Sequence, residues 1–176
     1  MACLDVIDPA DVRLRPYAPT DLAAITAIDR ATTEHLAGIG FPSLRDHMPD
    51  EGSVARLAEG RAVWVADGGD GPVGFAVASD AGPCLWLHEL GVLPAWHGRG
   101  VGTQLLAEVV AHGRWLFQPA LALDTFRTAA ARAFYAKRGF MPWPPGHVPP
   151  EVEGLVAAER PPGFHPAARV VMVKRL

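Results

Sequence analysis

The chain has 176 residues, 49% of them hydrophobic, which fits one domain spanning residues 1–176 with a core of ordinary size. Sixteen Lys and Arg against nineteen Asp and Glu leave a net charge of −3, so charge gives no case for a nucleic-acid or anionic-membrane partner. No stretch approaches the ~18 apolar residues of a spanning helix, Asp5, Asp8 and Asp11 stand where a secretory signal would be basic then apolar, and two distant cysteines, Cys3 and Cys84, make no disulfide framework; a soluble cytoplasmic chain with reduced thiols is expected.

"VRLRPY" (12–17) alternates apolar and charged residues and reads as a half-buried strand. In "APTDLAAITAIDRAT", Leu22, Ile25 and Ile28 fall at helical spacing, with Thr20 as the expected N-cap. Residues 38–53 are broken by Gly and Pro and read as loop or short helix, and "VARLAEG" (54–60) as a helical turn or two stopped by Gly60. Strands are expected at 62–67 and 72–80, joined by the hairpin signal "GGDG" (68–71), and again at 84–92. A helix over 100–116 carries Leu105, Leu106, Val109 and Val110 on one face; a strand over 120–126 and an Ala-rich helix over 128–140, stopped by Gly139, follow. Residues 141–166 are rich in proline and read as a long excursion with one short helix around 151–159, before a closing strand at 168–176.

The segment "HGRGVG" (97–102) joins a strand to a helix. The first N–H groups of a helix lack internal partners and carry the positive end of its dipole, and glycines let a phosphate approach them closely. A phosphate cradle is one reading and a plain connecting turn the other. A Walker loop is excluded because Thr103, not Lys, follows Gly102, and the spacing Gly98, Gly100, Gly102 is not the Rossmann fingerprint.

With its flanks, "LGVLPAWHGRGVGTQLL" resembles the central signature of the GNAT superfamily of acetyl-CoA-dependent N-acetyltransferases, with His97 where Gln or Arg is usual. Some thirty residues on, "ARAFYAKRGF" (131–140) matches the family's second signature, with Thr128 where an Asn is often found. The resemblance covers roughly residues 12–140 and the last strand. It implies an α/β fold of α+β type: a mixed, mostly antiparallel sheet with a central splayed parallel strand pair and helices on both faces. It implies acetyl-CoA as cofactor, its pantetheine arm along the backbone of Leu90, Gly91 and Val92. The pyrophosphate would sit on the N–H groups of His97, Gly98, Arg99 and Gly100 and of Val101, Gly102 and Thr103. Ala131 and Phe134 would flank the arm, and Tyr135 would hold its hydroxyl near the thioester sulfur. The implied reaction is acetyl transfer to a primary amine of a small molecule or peptide by direct attack in a ternary complex. An acyl-CoA-binding module without turnover is the alternative.

Such chemistry needs a neutral amine, a donor to the carbonyl oxygen and a proton for the thiolate. The Val92 N–H fits the second role and the Tyr135 phenol the third. For the base, strict alternation places Trp86, His88 and Leu90 on one face of the strand and Leu87, Glu89 and Gly91 on the other, unless a bulge intervenes. His88 is placed ahead of Glu89, because imidazoles in general suit proton transfer near working pH whereas a carboxyl would need apolar burial to do so. The remaining histidines are scattered and show no metal-ligand spacing, so no metal is expected. Carboxylates flanking the acceptor side — Glu34, Asp46, Asp50 and Glu51 in one segment, Glu151, Glu153 and Glu159 in the proline-rich one — could draw in a cationic amine, with 141–166 as a lid. Dimers are frequent in the family, so a homodimer through the last strand is a further expectation.

Overall fold

The structure, a computed structural model, describes residues 12–144, 146–160 and 168–176. The acidic N-terminal residues and Cys3 lie outside them. The chain runs through β1 (Arg13–Pro16), α1 (Leu22–Gly38), α2 (Glu51–Ala58), β2 (Ala62–Asp67), β3 (Pro72–Asp80) and β4 (Leu85–Val92). It continues through α3 (Val101–Trp115), β5 (Ala120–Phe126), α4 (Ala129–Ala136), β6 (Met141–Pro142), α5 (Pro150–Glu159) and β7 (Arg169–Arg175). The strands form one sheet in the order β1-β2-β3-β4-β5-β7-β6. Every pairing is antiparallel except β4 with β5, which pair in parallel only through Leu85–Leu87 and Leu121–Leu123. Beyond those three pairs the two strands part. No described helix is long and apolar enough to cross a membrane.

Helices cover both faces. On one, Ile25 and Ile28 of α1 and Val54 of α2 pack on Val63, Val65, Phe75 and Val77. On the other, Val101, Leu105, Leu106 and Val109 of α3 pack on β3, β4 and β5. The proline-rich excursion contributes α5, whose Val152 and Val156 pack on Cys84, Trp86 and Ala122. It thus fills sheet surface that α1 and α2 leave open. The short helix expected around 151–159 is this element, and β6, a two-residue strand within the same excursion, carries no periodicity by which to foresee it.

Three local expectations are corrected. Thr20 is not the cap of α1: Pro19 opens a 3-10 turn over Pro19–Asp21, and Asp21 occupies the N-cap position. The Asp21 carboxylate accepts from the Ala18 N–H at 2.8 Å and pairs with Arg15 at 2.7 Å. The second helix starts earlier than 54, because Asp50 and Ser53 form a reciprocal cap at its start. The helix expected to reach Gly139 ends at Ala136, and Gly139 (φ +84°) closes the turn after it.

Candidate functional site

A cleft of about 760 Å³ opens where β4 and β5 part, and it reaches both faces of the sheet. Its α3 side is built from the two signature segments. Gly98 (φ +77°) and Gly100 (φ +82°) take backbone conformations that other residues adopt only under strain. A Cβ at either would project into open space at the mouth of α3. The His97 N–H donates to Pro94 O and the Thr103 N–H to Gly100 O. Among the described residues the N–H groups of Gly98, Arg99, Gly100, Val101 and Gly102 have no acceptor. Five unpaired donors at the positive end of a 15-residue helix fit a pyrophosphate. The free set is thus Gly98–Gly102, narrower by one residue at each end than the expected His97–Thr103.

Other side chains brace this cradle. The His97 ring donates from Nε2 to Val92 O at 2.9 Å, tying the loop back to the strand end. Arg99 lies 5.1 Å over the Trp96 ring. Arg138 stacks at 3.8 Å over Phe134, donates to Phe134 O at 2.6 Å and contacts the Thr103 hydroxyl, while its buried Nε is left without a partner.

The edge of β4 that faces the parted strand is a second binding feature. Leu93 N–H bonds Val73 O on β3. By antiparallel alternation, the N–H groups of Leu90 and Val92 turn toward the open edge. The Leu90 N–H there meets its neighbour, the Glu89 carboxylate, at 3.3 Å. An extended amide chain such as pantetheine fits this edge as an added strand.

A bulge sets the positions of His88 and Glu89. Val77 pairs with Glu89 and Ala78 with Leu87, so His88 is the extra residue. Leu87 and Leu90 would otherwise face opposite ways; both pack in the α3-side core. The strict alternation expected from the sequence is therefore broken, and it is broken at the pair whose roles were in question.

The His88 side chain is 1% exposed, and both ring nitrogens are taken. Nδ1 donates to the Glu159 carboxylate of α5, and the Ser79 hydroxyl donates to Nε2 at 2.7 Å. The same Glu159 accepts the Trp86 indole N–H at 2.9 Å. Glu89 lines the cleft together with His88, with Asp29 of α1 and with Tyr135 of α4, and its one hydrogen bond is to the neighbouring Leu90 N–H. Burial drives the Glu89 carboxyl upward against the pull of Arg169. Burial, then the Glu89 charge, pushes Asp29 up to about 8. Burial, again followed by Glu89, raises the Tyr135 phenol, which stays protonated. Tyr135 is held edge-on by Phe134 at 5.0 Å and Phe140 at 5.6 Å, and its hydroxyl makes no hydrogen bond among the described residues.

Sequence reasoning missed Asp29, which looks like one more polar position on an amphipathic helix. It also missed the Asp124 cluster. Asp124, with a side chain 5% exposed, binds Arg160 at the end of α5 (3.0 Å) and Arg169 of β7 (2.7 Å). No spacing rule links residues so far apart. Of the flanking carboxylates only Glu159 lines the cleft; Glu34 is paired with Arg45 and Asp50 caps α2. Among the described residues no group of three or more His, Cys, Asp or Glu could hold a metal ion.

These features can be set beside known proteins. Residues 59–142 match the model of the acetyltransferase (GNAT) domain. No curated protein matches the chain. Among solved structures, a GCN5-related N-acetyltransferase from Rhodopseudomonas palustris is 26% identical, with a TM-score of 0.70 over 93% of this chain and 95% of that one. The PaiA N-acetyltransferase from Thermoplasma acidophilum, solved with coenzyme A, is 14% identical, with a TM-score of 0.71 over 94% and 99%. The ribosomal-protein-S18-alanine N-acetyltransferase from Escherichia coli is 16% identical, with a TM-score of 0.67 over 93% of each chain. The matched span holds the glycine cradle, the β4 edge, Glu89 and Tyr135, so it is residues 59–142 that carry the match to the GNAT acetyltransferase domain, whose cofactor is acetyl-CoA.

Proposed function

We propose that this protein transfers an acetyl group to a primary amine by direct attack in a ternary complex, with Glu89 as general base and Tyr135 as general acid. The observation that carries this reading is that both groups line one cleft beside the unpaired N–H groups of Gly98–Gly102. Acetyl-CoA, when bound, supplies the activated acetyl thioester. The cradle and Arg138 hold its pyrophosphate, the open edge of β4 holds its amide arm, and Ala131 and Phe134 flank that arm. The Val92 N–H, turned to the same edge, donates to the carbonyl oxygen as negative charge develops there. Glu89, its carboxyl raised above the ordinary value by burial, accepts the proton of the attacking amine. Tyr135 keeps its proton and offers it to the departing sulfur.

The base assignment reverses the order that strand alternation suggests. His88 has no nitrogen free to reach an amine, whereas Glu89 makes one contact, with the Leu90 N–H beside it. His88 acts as a strut that fixes the bulge and pins α5, which serves as cover for the acceptor side.

Kinetics of Glu89→Gln, His88→Gln and Tyr135→Phe with an amine acceptor test the reading. Glu89→Gln is expected to lower kcat about 100-fold or more, with coenzyme A affinity unchanged. The acid limb of its wild-type kcat/KM profile lies well above the ordinary carboxylate range and disappears in the variant, because a base must be ionised to work. Unchanged kcat in Glu89→Gln alongside a 100-fold loss in His88→Gln would restore His88 as the base.

A further inference from the structure

The acceptor half of the cleft has an unequal charge inventory. Its arginine, Arg169, donates from Nε and Nη2 to Asp124 and lies 4.4 Å over the Phe126 ring. Asp124 is further bound by Arg160. His47, which also lines this half, has a partner as well. The lining arginine of this half among the described residues is thus already paired with a carboxylate.

The carboxylates differ. Glu159 is engaged by His88 and Trp86, but Asp29 has no hydrogen bond among the described residues. The helix α1 is seated so that Ile28 fills the space above Gly91, 3.5 Å from where a Cβ would lie, and the Thr32 hydroxyl donates to Val92 O at 3.4 Å. Asp29, between these two anchors, is thereby set over the parted edge of β4 beside Glu89. Beyond this pair an apolar stretch lies among Thr33, His47 and Thr125. Leu36 and Leu44 line the cleft with Phe126, which Phe41 backs at 4.3 Å.

We infer that the acceptor is an apolar amine with no carboxylate beside the reacting nitrogen, its ammonium held between Asp29 and Glu89 and its hydrocarbon body against Leu36, Leu44 and Phe126. The inference rests on the acetyltransferase reading above. An amino acid carrying the same side chain would bring its carboxylate against the acidic pair, where the arginine lining this half, Arg169, is already paired with Asp124. A polyamine would leave its second charge against apolar wall, where a charge is costly.

The test compares 2-phenylethylamine, L-phenylalanine and spermidine at saturating acetyl-CoA, reading coenzyme A release. The expected result is a kcat/KM for 2-phenylethylamine about 100-fold above that for L-phenylalanine, and above that for spermidine. Asp29→Asn is expected to raise the KM for 2-phenylethylamine about tenfold, leaving the KM for acetyl-CoA unchanged. Equal or better use of L-phenylalanine or spermidine, or an unmoved amine KM in Asp29→Asn, overturns the inference and leaves the acetyltransferase reading standing. No coenzyme A release with any of a broad amine panel, despite acetyl-CoA binding, overturns both.

Discussion

At the scale of single residues, the site depends on where charges are held rather than on how many there are. Asp29 and Glu89 are two carboxyls in one partly desolvated cleft, and neither faces a dedicated cation. Such a pair favours the protonated form. For Asp29 the folded value of about 8 stands above the ordinary 3.8, so between those values the folded chain holds more protons than the unfolded one. Its contribution to stability is therefore complete below about pH 4 and is lost as pH rises through about 8. Urea melts at pH 5, 7 and 9 are expected to show stability falling with pH, with a shallower fall in Asp29→Asn. A second residue-scale feature is Phe117, which follows the C-cap of α3 with φ +55° and is 94% exposed. Its side chain buries nothing in exchange for the left-handed backbone. Phe117→Gly is expected to stabilise the fold by about 0.5–1 kcal/mol in chemical denaturation.

At the scale of elements, α5 shows how a segment with no amphipathic signature is fixed. Its apolar contacts are Val152 and Val156 on Trp86, Cys84 and Ala122, with Leu155 packed partly buried beside them. Its C-terminal end is bolted twice, by Glu159 to Trp86 and His88 and by Arg160 to Asp124. Asp124 joins that end of α5 to β7 across β5. Asp124→Ala would leave two arginines facing each other at a mostly buried position, and a loss of about 3 kcal/mol is expected in a denaturant melt. A loss below about 1 kcal/mol would show that α5 is held by packing alone. The bulge in β4 belongs to this scale as well. One inserted residue lets Leu87 and Leu90 share the α3 face, and of the two residues that line the cleft it ties His88 to α5 and leaves Glu89 with only its neighbour's N–H.

At the scale of the whole molecule, binding couples the two ends of the cleft to stability. The cradle stands at the start of α3 and the open edge on the central strand, so an occupant bridges elements that otherwise meet only through the core. Coenzyme A at about 100 times its Kd stabilises the fold by about 2.7 kcal/mol, which for a chain of 176 residues corresponds to a thermal shift of about 5–10 °C. Gly100→Ala places a Cβ in the cradle at a positive φ and is expected to cut that shift by more than half. An undiminished shift would remove the cradle from the binding site.

The sequence by itself determined the order of the strands and helices apart from β6, because apolar periodicity and glycine stops are local rules. "HGRGVG" alone is ambiguous, and it is the resemblance carried by "ARAFYAKRGF" that points to a phosphate cradle and to Tyr135. Only the tertiary structure decided the rest. Which of His88 and Glu89 is tied down by hydrogen bonds at the cleft turns on a bulge, which depends on which partner residues in β3 and α3 must be packed. Asp29 becomes part of the site only because α1 crosses β4 at Gly91, and Asp124 gathers arginines from α5 and β7 that lie dozens of residues away. These are contacts between distant segments, and no spacing within one segment encodes them.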